Sequence, residues 1–123
     1  MRRSTEGIPV VEKRSLTALA DEQLAAAKAS NSGRSACTVF GGQAHALRQT
    51  LIALAAGHAL GEHDSPGEAT LIVLRGRVRL TSAGTGWDGA AGDHLMIPST
   101  RHGLDALEDS VVLLTVAQRP SPQ

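Results

Sequence analysis

The sequence has few aromatic side chains and no excess of charge of either sign. Its 123 residues include one Trp, one Phe and no Tyr, so it has almost no side chains on which single-stranded nucleic acid could stack its bases. Twelve basic residues balance twelve acidic ones, so no net charge attracts the protein to nucleic acid or to an anionic membrane. These absences predict that neither a nucleic acid nor a membrane is a partner.

The chain also lacks cysteine pairs and long apolar runs. Cys37 is the only cysteine, which excludes an internal disulfide and a cysteine-based zinc cluster. The longest apolar run, residues 51–57, is too short to cross a bilayer. The basic start at residues 1–7 leads into no apolar segment of the kind that a secretory signal needs. We therefore expect a cytoplasmic protein.

What is present is enough apolar material for one core, since 41% of the residues are hydrophobic. Apolar residues recur at helical spacing between positions 16 and 24, with charged residues on the other face. Ser15 or Thr17 can cap the start of this segment, and the sequence Asn-Ser-Gly at 31–33 ends it. The pattern predicts a helix at about residues 16–29.

After residue 33 the pattern changes to short β-branched or alternating runs that Gly, Asp and Pro separate at regular intervals. This pattern is typical of an all-β sandwich or barrel. The predicted strands are Ala36–Phe40, Ala46–Ala55, Ala69–Leu74, Arg77–Ser82, a short piece near Trp87, His94–Ile97, Gly103–Leu107 and Val111–Ala117. We expect an N-terminal arm and helix at 1–33, a small jelly-roll β-barrel at 34–118, and a disordered tail at 119–123.

The stretch from residue 57 to residue 102 resembles the cupin superfamily in the spacing of two motifs. The first motif matches at Gly57, His63, Pro66-Gly67 and Gly76, and the second matches at Gly92-Asp93, Pro98 and His102. The resemblance is to small bacterial cupins. It implies a short barrel with a ligand-sized interior, and it implies a homodimer.

The departures from these motifs concern metal binding. In metal-containing cupins, two histidines and a glutamate of the first motif join the histidine of the second motif in a three-His, one-Glu site. Here Ser65 and Ala69 stand at two of those positions, which leaves His63 and His102. Catalytic zinc and iron sites use at least three protein ligands. The metal motif is therefore degenerate.

Two interpretations of the remaining residues stay open. In the first, a metal-free pocket lined by His63, Ser65, Glu68, Arg101 and His102 binds a small molecule, and Arg101 grips a carboxylate. In the second, His63 and His102 hold one divalent ion (Fe, Mn, Ni, Cu or Zn) in an enzyme of dioxygenase or isomerase type. A third ligand would then be His58 or Glu68, and a β-bulge at the turn before Glu68 would have to turn its side chain inward.

The sequence leaves three further points as expectations. An apolar pocket wall is expected from Leu71, Val73, Val78, Leu80, Met96 and Leu104. The apolar run Val111–Val116 suits a strand that is buried on both faces, within the barrel or at a subunit contact. A weaker hypothesis gives the N-terminal segment a role in docking onto a partner protein.

Overall fold

The computed structural model describes residues 8–65 and 67–118, which form one helix followed by nine strands. The predicted tail and the first seven residues of the predicted arm lie outside the described residues. Residues 8–15 contain no helix or strand. The elements are α1 (Leu16–Ala29), β1 (Arg34–Phe40), β2 (Leu47–Leu54), β3 (Ala59–His63), β4 (Glu68–Arg75), β5 (Arg77–Ser82), β6 (Thr85–Ala90), β7 (His94–Met96), β8 (His102–Ala106) and β9 (Ser110–Ala117).

The helix has the bounds that its apolar spacing predicts. Its cap is Ser15, whose Oγ accepts a hydrogen bond of 3.1 Å from the backbone N–H of Ala18. This bond satisfies one of the N–H groups that have no partner inside the helix. Gly33 then takes a φ of +67°, which an L side chain rarely adopts, and turns the chain into β1. The N-terminal cap is one of the two residues that the sequence offers, whereas the C-terminal cap is Ser30, just before the predicted stop at residues 31–33.

The strands form two antiparallel sheets in a jelly-roll arrangement, as predicted. The five-stranded sheet has the order β1-β2-β9-β4-β7, and the four-stranded sheet has the order β3-β8-β5-β6. The last strand, β9, lies at the centre of the five-stranded sheet between β2 and β4. This placement answers the question that the apolar run Val111–Val116 left open, because the run is buried within the domain.

The apolar side chains form two clusters, one on each face of the five-stranded sheet. The inner cluster fills the space between the sheets and contains Leu54, Leu71, Val73, Val78, Leu80, Leu104, Ala106 and Val112. The outer cluster joins α1 to the other face of the five-stranded sheet and includes Ala20, Ala27, Leu51, Ala53, Val111 and Leu113. The six residues predicted to form an apolar pocket wall do not line one common pocket: five of them pack against one another as core, and Met96 is 80% exposed.

One strand of the structure, β3, is not among the predicted strands. The segment Ala59–His63, which forms β3, contains a glycine and a glutamate and has no β-branched residue. Its burial pattern does not alternate, and four of its five residues are exposed. Pairing with β8 makes it a strand. A barrel of nine strands rather than eight is the result.

Four strand ends meet at one end of the barrel, which we call the mouth. Ala117, at the end of β9, pairs with Leu47 at the start of β2 and with Glu68 at the start of β4. Residues 64–67 connect the end of β3 at His63 to the start of β4. The mouth is therefore the end at which β3 and β9 finish and β2 and β4 begin.

At the opposite end of the barrel, Asp109 fastens the helix to the sheets. Its carboxylate accepts a hydrogen bond of 2.8 Å from the backbone N–H of Ala56 and lies 3.3 Å from Lys28 Nζ in the last turn of α1. The bond from Ala56 and the Lys28 ammonium hold the pKa of Asp109 below its ordinary value. The contact therefore joins the helix, the β2–β3 turn and the β8–β9 turn.

We expect Asp109→Ala to lower stability at pH 7, with a smaller loss in acid. A carboxylate whose pKa is lowered in the folded state adds stability above its unfolded pKa of about 3.9, and this stability disappears as the pH falls through the folded value. Urea unfolding of parent and variant at pH 7 and pH 3 measures the difference. A loss of equal size at both pH values would contradict the role given to the carboxylate.

Candidate ligand site at the barrel mouth

Two histidines from neighbouring strands of the four-stranded sheet face each other at the mouth. His63 ends β3, and its partner in the strand pairing is His102 at the start of β8. The ring centroids are 4.7 Å apart, and the ring planes meet at 58°. His102 is 5% exposed, whereas His63 is exposed. The pair thus has one ring inside the barrel and one open to solvent.

A β-bulge gives His63 its direction. Leu60 pairs with Leu104, but His63 pairs with His102, so three steps along β3 match two steps along β8. Leu104 belongs to the inner cluster and Leu60 packs against that cluster, so both face inward. By simple alternation His63 would face the opposite way from Leu60, and the extra residue reverses this. The bulge therefore places both imidazoles on the inner face.

Both imidazoles are held in the same way. Nδ1 of His63 lies 3.0 Å from the carbonyl oxygen of Gly61, and Nδ1 of His102 lies 3.0 Å from that of Thr100. A carbonyl oxygen can only accept, so each Nδ1 carries the proton and donates it. In the neutral ring, each Nε2 is then left with a lone pair. The pair presents two hydrogen-bond acceptors, or two metal-ligand atoms.

Ser82 holds the segment that carries His102, a role that the sequence analysis missed. Its buried hydroxyl donates to the carbonyl oxygen of Arg101 at 2.7 Å. The hydroxyl of Thr100 lies 2.8 Å from Ser82 Oγ and donates to it, because the single proton of Ser82 is already used. These two bonds fix the residues on either side of the Thr100 carbonyl that orients His102. A serine at the end of a strand carries no signal of this kind in the sequence.

The charge of Arg101 is balanced by acidic neighbours on β3 and after it. Its guanidinium lies 3.8 Å from a carboxylate oxygen of Glu62 and 3.9 Å from one of Asp64. It also donates to the backbone carbonyl oxygen of Glu62 at 3.2 Å. Arg101 is next to His102 in sequence, but its contacts hold the β3–β8 edge together. The carboxylate grip predicted from sequence would have to compete with these contacts.

Ser65 and Glu68 lie in and just after the connection between β3 and β4. The hydroxyl of Ser65 donates to the carbonyl oxygen of Gly67 at 2.7 Å, which closes a local turn. Glu68 pairs with Ala117, and the register from Glu68 to Val73 is regular. Alternation then places Glu68 on the face opposite to Ala69, away from the barrel interior. The bulge that was considered for turning Glu68 inward does not occur there.

His58, the other candidate for a third metal ligand, is at the far end of β3 from His63. Its ring packs on Gly33, where an added Cβ would overlap it. Among residues 8–65 and 67–118, no group of three or more His, Cys, Asp or Glu side chains is arranged to hold a metal ion. Two imidazoles provide fewer protein ligands than the three that catalytic zinc and iron sites use. The residues of the mouth therefore do not fit a resident metal.

Arg48 is a further residue of the mouth that the sequence analysis did not single out. It is the second residue of β2 and pairs with Val116, which pairs in turn with Ala69 on β4. Its Nε is buried and has no hydrogen-bond partner within the described part of the chain. Arginine in an apolar strand gives no sign of which face it occupies, which explains the omission.

A separate groove of about 300 Å³ lies between β6 and β7, the edge strands of the two sheets. Its lining consists of Leu80, Trp87, His94, Leu95, Met96 and Pro98. Trp87 is 46% exposed, and the imidazoles of the mouth are not among the lining residues. The groove is therefore distinct from the His63–His102 pair.

Comparison with solved structures identifies the fold. A conserved protein of unknown function from Streptococcus pyogenes is 27% identical, with a TM-score of 0.66 over 75% of this chain and 80% of that one. An RmlC-like cupin from Desulfovibrio desulfuricans is 22% identical, with a TM-score of 0.61 over 91% and 92%. KdgF from Halomonas sp. is 22% identical, with a TM-score of 0.60 over 71% and 82%.

The sequence matches no family model and no curated protein. In the described part of the chain, no helix has the length and apolar character that a membrane crossing needs. The similarity to solved structures thus rests on the arrangement of the strands.

Proposed function

Because this chain is a small cupin-fold domain, we propose that it binds a small organic molecule at its mouth through His63 and His102, without a resident metal. The orientation of the imidazoles is the observation that supports this proposal. Each Nδ1–H is used by a backbone carbonyl, so both Nε2 atoms remain for a ligand. A hydroxyl, amine or amide N–H of the ligand would donate to them.

The distribution of apolar side chains supports a ligand at the mouth rather than deeper in the barrel. Leu71, Val73, Val78 and Leu104 are at most 4% exposed and pack against one another between the sheets. At the mouth, the inner positions of β4 and β3 are Ala69 and His63, a small side chain and an exposed one. A small molecule would rest on the inner cluster and place its polar group against the imidazoles.

The alternative is a metal-dependent enzyme with one divalent ion on His63 and His102. One observation favours it, since metal-ligating histidines usually donate their other ring N–H to a carbonyl or carboxylate. The missing third ligand counts against it. Position 69 explains what is missing, because an inward carboxylate there would stand on the inner face opposite the imidazoles, and this chain has alanine instead.

Metal content per chain distinguishes the two functions. We expect protein purified without a tag and without chelator to contain well below one Fe, Mn, Ni, Cu or Zn per chain. Ala69→Glu should add a third ligand and lower the Zn²⁺ dissociation constant at least about ten-fold. Thr70→Glu is the matched control, because residue 70 faces away from the interior. Plasma mass spectrometry and a zinc titration measure these quantities.

One result would overturn the proposal in favour of the metal enzyme. This result is about one metal ion per chain in the parent protein that is lost in both His63→Ala and His102→Ala. A homodimer and a cytoplasmic location stay predictions from the resemblance and from the composition.

A further inference from the structure

We propose that the ligand at the mouth carries a carboxylate group and that the Arg48 guanidinium binds it. This inference rests on the proposed function and adds the chemical class of the ligand. It follows from the position of Arg48, from the state of its Nε and from the balance of charge around the mouth. The position of Arg48 follows from the register of β2.

Register places Arg48 on the inner face of the barrel. Leu54 belongs to the inner cluster and Ile52 packs against it, so the even-numbered residues of β2 face inward. Thr50 and Ile52 line a cavity of about 390 Å³ together with Leu60 of β3 and residues 32 and 34–36, so inner positions of β2 and β3 border the same space. Arg48 continues this inward series toward the mouth.

The imidazole pair lies at the same end of the barrel on the opposite sheet. From Leu60, β3 runs to His63 at the mouth, and from Thr50, β2 runs back to Arg48 at the mouth. The inner row of the five-stranded sheet at this level is Arg48, Val116 and Ala69. A guanidinium therefore stands on one wall of the mouth and two imidazoles stand on the other.

The Nε–H of Arg48 is buried, and the part of the chain that the structure describes supplies no hydrogen-bond partner for it. It is the buried side-chain nitrogen that has no hydrogen bond within residues 8–65 and 67–118. Leaving a buried donor unpaired destabilises the folded protein, and more so when the group is charged. Buried polar groups of native proteins are nearly always paired with protein or with ordered water, so an unpaired donor in a candidate ligand site is available to an acceptor of the ligand.

The charges around the mouth leave Arg48 without an acidic neighbour in its own row. Val116 and Ala69 are apolar, and Glu68 faces away from the interior. The other cation of the mouth, Arg101, is balanced by Glu62 and Asp64. An anionic group that enters the mouth would therefore be bound by Arg48, because a guanidinium pairs a carboxylate with two parallel hydrogen bonds.

The two walls together define the ligand class. One wall offers donors for a carboxylate, and the other offers Nε2 acceptors for a hydroxyl. Facing sheets of a barrel lie about 10 Å apart, and side chains occupy part of that distance. The class that fits is a small hydroxy acid in which a few carbon atoms separate the carboxylate from the hydroxyl.

A titration with matched acids and amides tests this inference. The probes are glycolate, lactate, 3-hydroxybutyrate and mandelate, each beside its neutral amide. NMR follows the Arg48 Nε–H signal and the ring signals of His63 and His102. We expect an acid to bind at least about ten-fold more tightly than its amide, the difference expected for a hydrogen bond to a charged group.

Variants assign the effect to Arg48. In Arg48→Met, acid and amide should bind with similar dissociation constants, and Arg48→Lys should keep part of the difference because it keeps the charge. Arg34→Met is the control, because Arg34 pairs with Leu54 at the end of the barrel away from the mouth and its loss should leave the difference unchanged. Circular dichroism shows that each variant is folded.

The outcomes separate this inference from the proposed function. If acids and amides bind equally and both move the histidine signals, the carboxylate assignment is overturned and the ligand site stands. The carboxylate assignment is also overturned if Arg48→Met keeps the full preference for acids. If no probe moves the signals of His63 or His102, both proposals are overturned.

Discussion

Replacing Gly76 with alanine is expected to lower the free energy of unfolding by about 3 kcal/mol or more. Gly76 turns β4 into β5 with a φ of +78°, a conformation that L side chains rarely adopt. A Cβ at this position would overlap the carbonyl oxygen of Asp109 and the Oγ of Ser110, and would lie 2.9 Å from the Cα of Ser110. Backbone strain and steric overlap therefore both contribute to the expected loss of free energy of unfolding.

The overlap at Gly76 cannot be relieved by moving a flexible side chain. Ser110 is 1% exposed, and its Oγ accepts a hydrogen bond of 3.1 Å from the backbone N–H of Arg77. It also starts β9, whose register with β2 begins at this residue. To make room for a methyl group, the β4–β5 turn would have to separate from the start of the central strand.

Gly84→Ala is the matched control for this prediction. Gly84 has almost the same φ, +79°, but a Cβ there would meet nothing within 4 Å. Ala83 beside it already has a positive φ of 51°. We expect Gly84→Ala to cost about 1 kcal/mol, from the backbone conformation by itself. Urea unfolding of both variants measures the difference, and equal losses would show that the overlap at Gly76 relaxes freely.

Leu51→Ala is expected to cost about 2–5 kcal/mol, because it opens a cavity beneath α1. Leu51 is fully buried in the outer cluster, which also contains Ala20 and Ala27 of the helix. Alanine removes most of the side chain that these two small residues pack around. In the described part of the chain, the helix is also attached by Leu16, Leu19 and Leu24, which pack against the same cluster, and by exposed or half-exposed ion pairs such as that between Arg75 and Asp21.

Leu47→Ala separates packing beneath the helix from a general effect of losing a leucine. Leu47 lies four residues earlier on the same face of β2 and is 42% exposed. We expect its replacement to change the free energy of unfolding by about 0.5 kcal/mol or less. Comparable losses at positions 47 and 51 would contradict the assignment of the outer cluster as the contact that holds α1. Urea unfolding followed by circular dichroism measures both values.

The parts of the fold that local sequence determines could be predicted. The helix bounds follow from apolar spacing and from a serine cap, both of which act within a few residues. The strand Ala59–His63 could not be predicted, because its backbone pairs with a distant segment and its side chains add little. The wrong placement of Met96 has a related cause. The sequence of a strand of three residues, His94–Met96, does not indicate which face is inward. In the structure, Leu95 packs against the inner cluster.

The candidate site was predicted in part, for the same physical reasons. Motif spacing identified His63 and His102, and the structure pairs them in register. Strict alternation from Leu60 would place His63 on the outer face. The extra residue of the bulge places it on the inner face, and nothing in the sequence indicates this bulge. Arg48 was missed because the face of a β2 residue depends on which side of the sheet α1 covers. Which side of the sheet α1 covers depends on how the whole chain packs, and short segments of sequence do not indicate it.

The central position of β9 has a consequence for how the protein is made. The strand that joins β2 to β4 follows the other eight described strands in the sequence, so it leaves the ribosome after all of them. Until then, β2 and β4 each lack a neighbour, and the outer cluster lacks Val111 and Leu113. Unpaired apolar strands in a nascent chain invite association with other chains. A premature stop near residue 109 would therefore yield an aggregating fragment rather than a smaller folded barrel.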